Sequence, residues 1–285
     1  MAVHTVRSVS NEAAGRLAHL ATGRRDAELL LLRVLGRDRA WLFAHGDEPI
    51  SGEQLARFES WVARRARHEP VQYILGEQEF YGLAMRVTPD VLIPRPETEH
   101  LVEAVLAHVP RNHALEIADV GTGSGAIAVA LAHALPLAQI TALDISPKAL
   151  DVARVNAERH GVAERVRFVE SDLLSGVRGE RFFAVVANPP YVAETEDLEP
   201  QVRKYEPHGA LFAGPTGLDV YRKLIPEAWE ALLPGGWLLM EIGHGQRDSL
   251  ADLLLPGSPG HSWSEVRFVA DLQGIPRVAI AQRGV

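Results

Sequence analysis

Leu115-Glu116-Ile117-Ala118-Asp119-Val120-Gly121-Thr122-Gly123-Ser124-Gly125-Ala126-Ile127-Ala128-Val129-Ala130-Leu131-Ala132 carries three elements in one short stretch. The first six residues read as a strand, the next five as a glycine-rich loop, and the apolar run after them as a helix. Strand, glycine loop and helix in this order are the nucleotide-binding start of a doubly wound sheet. Downstream, Gln139-Ile140-Thr141-Ala142-Leu143-Asp144 reads as a second strand ending in a carboxylate. A third, Val166-Arg167-Phe168-Val169, leads into Ser171-Asp172-Leu173. The run Phe182-Phe183-Ala184-Val185-Val186-Ala187 reads as a buried parallel strand and delivers Asn188-Pro189-Pro190-Tyr191 at its end. The fold class is therefore α/β, with every one of these segments at the carboxyl edge of a mostly parallel sheet, where such sheets bind ligands.

The loop chemistry narrows the ligand. No Lys follows the glycines, so this is not a phosphate-binding Gly-x-x-x-x-Gly-Lys loop. Ala126 follows Gly125 and no later glycine closes a Gly-x-Gly-x-x-Gly pattern. Asp119, two residues ahead of Gly121, disfavours a pyrophosphate and favours the ammonium end of an amino acid. Asp144 is placed to accept from both hydroxyls of a ribose, and Asp172 from an adenine amino group. Adenine, ribose and an amino-acid tail together specify S-adenosylmethionine. The cofactor set is then Asp119, Gly121, Thr122, Gly123, Ser124, Gly125, Asp144, Ile145, Asp172 and Leu173, with Asn188 facing both cofactor and acceptor.

The turn after the fourth strand suits one task. Pro189 and Pro190 fix φ twice and remove two donors, which makes the turn stiff. An Asn oxygen and a Pro carbonyl can take the two protons of a planar –NH2 group while the Tyr191 ring stacks on its plane. Held this way, an amide or aryl nitrogen can aim its lone pair at an electrophile. Asn188, Pro189 and Tyr191 are the candidate catalytic residues, and Pro190 lies with them against the substrate.

Asp119 to Gly125, Asp144 and Asn188 to Tyr191 resemble the signature of class I methyltransferases acting on amino nitrogens. Gly76-Glu77-Gln78-Glu79-Phe80-Tyr81-Gly82-Leu83 and Val91-Leu92-Ile93-Pro94-Arg95-Pro96-Glu97-Thr98-Glu99 narrow this to the release-factor glutamine methyltransferase family, often called HemK or PrmC. The resemblance runs from about Leu29 to the C-terminus. It implies a Rossmann-like, seven-stranded sheet ending in an antiparallel hairpin, preceded by a small helical domain and a connecting β-hairpin. It implies methyl transfer from S-adenosylmethionine, leaving S-adenosylhomocysteine, to the side-chain amide of the Gln in the Gly-Gly-Gln loop of class I peptide-chain release factors. It also places Arg95 and Glu97 beside the cofactor and acceptor pocket.

Pattern divides the chain. Residues 11–68 are rich in Ala, Leu, Arg and Glu, with Leu29, Leu32 and Leu35 at helical spacing, and read as four or five helices broken at Gly36 and Gly46-Asp47-Glu48-Pro49. Ser51 with Gln54 fits a capping box. Phe80 to Val87 looks extended and Thr88-Pro89-Asp90 reads as a turn, hence a hairpin. Thr98 to Val109 reads as a helix entered through Pro96. The expected domains are 1–78, helical and substrate-recognising; 79–95, the hairpin; and 96–285, the methyltransferase domain, closing with strands at Gly236–Glu241, near Val266–Ala270 and near Val278–Ala281.

Composition selects among partners. Of 29 Lys+Arg and 37 Asp+Glu, the first 95 residues hold 13 and 12, so the acidic excess lies in the catalytic part. A duplex-binding enzyme needs a basic footprint, so a protein substrate is expected and stable nucleic-acid binding is not. With no Cys, disulfides and thiolate metal sites are excluded. The 12 His are scattered without ligand spacing, so no metal is expected. No apolar stretch reaches membrane-span length and the N-terminus lacks a signal-peptide core, which gives the expectation of a soluble, cytoplasmic monomer.

Each site residue has a plainer reading. The glycines fit a simple strand-to-helix turn, Asp144 a helix start, Asp172 a turn, and Tyr191 a core aromatic. Arg95, Glu97 and Glu99 fit a solvated first turn. His244, after Glu241, either lines the pocket or occupies a turn. Trp41, Phe43, Phe58 and Trp61 read as core. The rival functions are amino-methyl transfer to an adenine or guanine base, methylation of another protein's Gln, and a non-catalytic binding module.

Overall fold

The computed structural model describes residues 4–254 and 262–285; the first three residues of the expected helical domain and 255–261 of the expected catalytic domain lie outside the described residues. The chain forms two compact units, Met1–Gly76 with Leu198–Tyr205, and Glu77–Asp197 with Glu206–Val285.

The first unit contains α1 (Val6–Arg16), α2 (Gly23–Leu35), α3 (Arg39–Ala44), α4 (Gly52–Arg65) and α5 (Val71–Leu75). Its core is Leu17, Leu30, Leu31, Phe58 and Val62, all fully buried. The Ser51 hydroxyl accepts from Gln54 N while the Gln54 side chain accepts from Ser51 N, the capping box expected at α4. Phe58 is core as expected, Trp41 and Trp61 are half-buried, but Phe43 is 74% exposed. Helical spacing set it on the face of a six-residue helix that buries no side chain. The Arg65 guanidinium donates to Asp26 (2.8 Å) and to Gln201 Oε1 (3.1 Å), drawing in a residue of a short helix at Pro200–Tyr205.

The second unit opens with a hairpin, β1 (Glu77–Phe80) and β2 (Leu83–Arg86). The expected extended run over Phe80 to Val87 is broken at Tyr81-Gly82, the hairpin's own turn. Both residues have left-handed φ, 52° and 74°, as a two-residue hairpin turn of this twist requires. Glu99 and Glu79 stabilise it by accepting from Tyr81 N (2.9 Å) and Gly82 N (2.5 Å). After a 3₁₀ turn at Pro96–Thr98 comes α6 (Glu99–His108).

The large sheet follows as β3 (Glu116–Val120), α7 (Ala126–Ala134), β4 (Gln139–Asp144), α8 (Pro147–Arg159), β5 (Val166–Glu170) and β6 (Phe182–Ala187). The short helix of the first unit is α9 (Pro200–Tyr205). Then come α10 (Asp219–Ala231), β7 (Leu232–Glu241), α11 (Arg247–Leu254), β8 (Trp263–Ala270) and β9 (Pro276–Arg283). The seven strands lie in the order β5-β4-β3-β6-β7-β9-β8. The first five are parallel, and β9 pairs antiparallel with both β7 and β8. Neighbouring residues face opposite sides: Ile117, Ala184 and Val186 pack in a cluster with α6 and α7, while Ala118, Val185 and Ala187 pack in one with α10 and α11. Both faces are covered, which is why the strands read as continuous apolar runs. Strand order reverses between β3 and β6, so the loops after these two strands flank the switch point.

Candidate active site

The glycine loop is fixed from below before it can meet a ligand. Gly121 N and Thr122 N both donate to the Leu143 carbonyl at 2.8 Å, tying the loop to the end of β4. Gly121, Gly123 and Gly125 all have left-handed φ (73°, 54°, 78°). A Cβ on Gly121 would meet nothing within 4 Å, and one on Gly123 only the Gly121 carbonyl at 4.0 Å; on Gly125 it would lie 2.9 Å from the Ala153 Cβ. Two glycines thus present bare backbone to open space, and the third lets α8 pack closely. Asn156, fully buried in α8, donates to the carbonyls of Ser124 (2.8 Å) and Arg86 (3.0 Å) and accepts from Arg86 N (2.6 Å).

Two carboxylates flank this loop. Asp119 is fully buried; its Oδ2 accepts from the Thr122 hydroxyl (2.6 Å) and Ala128 N (3.1 Å), and its Oδ1 has no hydrogen-bond partner. Burial pushes its pKa up to about 7 against the pull of those two donors. Asp144 accepts from Gly123 N (2.8 Å) with one oxygen and Ser146 N (2.9 Å) with the other, and burial raises its pKa too.

A cavity of about 330 Å³ opens at the switch point. Gly121, Gly123, Asp144, Ile145, Asp172, Leu173, Asn188 and Pro190 line it, which brings together the ends of β3, β4, β5 and β6. Leu173 has φ 48°, a strained value for a residue with a side chain, and the Ser171 hydroxyl holds that turn by donating to the Leu173 carbonyl (2.7 Å) and accepting from Gly176 N (2.8 Å). Asp119, Thr122, Ser124 and Gly125 are outside this lining.

At the acceptor turn, Asn188 Nδ2 donates to the buried Thr98 hydroxyl (3.1 Å), which leaves its oxygen free. Pro189 is buried. Tyr191 is half-buried, with its hydroxyl donating to Glu241 Oε1 (3.2 Å) and its carbonyl accepting from Gln246 Nε2 (2.9 Å). Burial beside Glu241 pushes the phenol well above its ordinary pKa, so it stays a donor. Gly217 and Gly243 complete the seat: a Cβ would lie 2.2 Å from the Tyr191 carbonyl oxygen at the first and 3.0 Å from its ring at the second.

Other candidates stand apart. His244 is exposed and outside the cavity lining, while its neighbours Glu241, Gly243 and Gln246 grip Tyr191. Glu97 is exposed. Arg95 is taken up by Glu206, which also accepts from Ile93 N (3.1 Å), joining the Leu92-side wall of the cavity to the wall that starts at Pro207. Sequence reasoning missed Glu206, Thr98, Glu241 and Asn156. The first three were readable only as ordinary polar residues, because their partners lie on loop segments far away in the sequence.

A sheet of this order, with a bare glycine cradle and an Asn-Pro-Pro-Tyr turn on one cavity, is a class I methyltransferase fold. A solved methyltransferase from Pyrococcus furiosus shares it, with TM-score 0.52 at 18% identity over 82% of this chain and 100% of that one. Residues 8–76 match the PrmC N-terminal domain, so the similarity starts well before Leu29, and residues 98–204 match the methyltransferase small domain. The chain is 47% identical over 263 residues to a release factor glutamine methyltransferase of Koribacter versatilis, covering 91% of each chain. It is 47% identical over 252 residues to one of Geobacter sulfurreducens, covering 87% of each. The chain belongs to the release factor glutamine methyltransferase family. Among the described residues no helix is long and apolar enough to cross a membrane, and no group of three His, Asp or Glu could hold a metal ion.

Proposed function

We propose that the protein transfers a methyl group from S-adenosylmethionine to the side-chain amide nitrogen of the Gln in the Gly-Gly-Gln loop of peptide-chain release factors. The observation that carries this is the single cavity shared by Gly121, Gly123, Asp144 and Asn188. The residues fit the cofactor. Bare backbone at Gly121 and Gly123 admits an amino-acid tail closely, and the partnerless Asp119 Oδ1 suits the field of an ammonium group. Backbone N–H groups bond both Asp144 oxygens, and the carboxylate's remaining lone-pair capacity is available to a ribose hydroxyl. Asp172 and the backbone of Leu173 border the place for the adenine. Bound there, S-adenosylmethionine supplies the methyl group on an electrophilic sulfonium.

The chain's own task is to position the nitrogen. Asn188 Oδ1 and the Pro189 carbonyl take the two amide protons, and the Tyr191 ring packs the amide plane. Fixed dipoles favour a tetrahedral nitrogen over a planar one, and the extra proton leaves after transfer, when that nitrogen is strongly acidic. Arg95 acts through Glu206 on the cavity wall. The helical unit selects the protein partner, which places the enzyme with translation termination in the cytoplasm.

The test is radiolabelled methyl transfer, offered in parallel to a release factor, its Gly-Gly-Gln→Gly-Gly-Ala variant and duplex DNA. Label on the wild-type factor alone is expected. Label on DNA alone would keep the site and replace the substrate; label on none would leave a binding module or the methylation of another protein's Gln.

A further inference from the structure

Two prolines leave the acceptor turn without an N–H at its centre, so its aim depends on what holds its two ends. Thr98 holds the first by accepting from Asn188 Nδ2 (3.1 Å). The second is held from beyond β7, by a residue to which the reaction above gives no task. Gln246 directly precedes α11, and its backbone N–H closes a turn onto the Gly243 carbonyl (3.2 Å). Its side chain folds back over that turn. Oε1 accepts from Gly243 N (3.0 Å), while Nε2 donates to the Tyr191 carbonyl (2.9 Å) and reaches the Gly217 carbonyl at 3.4 Å.

These partners allow one orientation of the amide. Reversed, it would set its –NH2 against the Gly243 N–H and its oxygen against two carbonyl oxygens. The place needs a donor and an acceptor on one side chain of this length; Glu lacks the donor and Asn is one methylene short. Room is reserved for it by two glycines. A Cβ on Gly217 would lie 2.9 Å from Gln246 Nε2, and one on Gly243 2.8 Å from Oε1.

The clamp acts on the turn from outside the cavity lining. Glu241 takes the Tyr191 hydroxyl (3.2 Å) and Gln246 its carbonyl, so one short segment grips both ends of the residue. Swinging the ring breaks the first bond, and rotating the peptide plane breaks the second. Beyond Tyr191 the chain is fixed as well: Val192 N donates to the Leu211 carbonyl and the Val192 carbonyl accepts from Ala213 N, both at 2.9 Å.

We infer that Gln246 is a positioning residue for methyl transfer, whose amide pins the Tyr191 carbonyl and thereby fixes the aim of the Pro189 carbonyl and the Tyr191 ring at the acceptor nitrogen. This rests on the reading of the turn as the amide-binding site. Loss of the clamp lowers the rate of transfer and leaves the cofactor's binding in place.

Three variants of the full chain separate positioning from a merely structural role. Gln246→Glu keeps an acceptor for Gly243 N but turns an oxygen toward both carbonyls. Gln246→Met keeps the length and removes the donor. Leu254→Ala, fully buried at the far end of α11, weakens that helix without touching the amide. The first measurement needs no acceptor: fluorine NMR of enzyme labelled with 3-fluorotyrosine, which has five Tyr, the Tyr191 signal being assigned with Tyr191→Phe. Both Gln246 variants should shift or broaden the Tyr191 signal and leave those of Tyr73, Tyr81 and Tyr205 in place, while Leu254→Ala leaves all four. An unmoved Tyr191 signal in both Gln246 variants overturns the inference. The second measurement is turnover on the release factor, expressed per cofactor site counted by calorimetry. Both Gln246 variants should lose about 10–100-fold in kcat, with KM for the factor and cofactor affinity within a few fold, and Leu254→Ala should turn over like the wild type. A loss confined to KM or to the number of cofactor sites, or an equal loss of kcat in Leu254→Ala, also overturns it. Absence of label with the wild-type enzyme counts against the proposed substrate alone, because the fluorine signal still decides whether Gln246 holds Tyr191.

Discussion

Asp144 and Asn188 share a cavity, yet their partners separate their tasks. Asp144 is bonded to the glycine loop and the start of α8, whereas Asn188 is bonded to Thr98 in the turn before α6. Asn188→Ala should lower methyl transfer by about 10²-fold or more and leave cofactor affinity within a few fold in calorimetry. Asp144→Ala should weaken the cofactor by at least about tenfold, since charged hydrogen bonds carry roughly 1.5–3 kcal/mol each; unchanged affinity would remove it from the ribose. Glu241 gives a stability prediction with the sign fixed by linkage. Its carboxyl rises from 4.5 to about 7 on folding, so the native state holds a proton that the unfolded chain has released. Stability therefore falls as pH climbs through that window and stays lowered above it. Glu241→Gln should gain up to about 3 kcal/mol in denaturant at pH 8, with the gain shrinking towards pH 4.5. A variant equally destabilised at both pH values would show that burial of the charge costs nothing.

At the scale of elements, the three loop glycines do different work, and substitution separates them. Gly121→Ala carries the strain of a left-handed φ but no clash, so it should cost about 1 kcal/mol of stability while obstructing the cofactor. Gly125→Ala adds a 2.9 Å contact with Ala153 and should cost a further 1–3 kcal/mol or so. Urea unfolding of the pair checks the order; equal losses would mean that α7 and α8 yield freely. Strand ends were legible because an apolar run closed by a carboxylate or a proline marks them: Gln139–Asp144 and Phe182–Ala187 form as read. The hairpin was legible, but the place of its turn was not. Tyr81-Gly82 sits inside an apolar run and lacks the Asn-Gly or Asp-Gly signature, while Thr88-Pro89-Asp90 advertised a turn and forms one that joins no strands. Asn156 was invisible for a different reason. In sequence it is one polar residue of an amphipathic helix, and only the folded chain shows it joining the hairpin to the loop.

The whole molecule adds what no local pattern reports, namely that its helical unit is not one continuous piece of chain. After building β3 to β6, the chain returns α9 to that unit. The Leu198–Tyr205 stretch carries no signal for this, because the residue that receives it, Arg65, lies 136 positions away. Arg65 and Asp26 are both under 10% exposed and form a 2.8 Å ion pair, with Thr22 also donating to Asp26 (2.7 Å). Breaking such a pair is dearer than replacing it, since the remaining charge stays buried without compensation. Asp26→Ala should therefore destabilise the helical unit by about 3–5 kcal/mol, whereas Asp26→Leu with Arg65→Met should recover most of the loss. The helical unit's unfolding transition, followed in a double-mutant cycle, measures the coupling. If Asp26→Ala costs under about 1 kcal/mol, or the double variant is as unstable as the two single changes added together, the pair is not the anchor of this discontinuous unit. A large coupling would instead mean that the buried guanidinium, which also donates to Gln201, is held in place by its carboxylate partner.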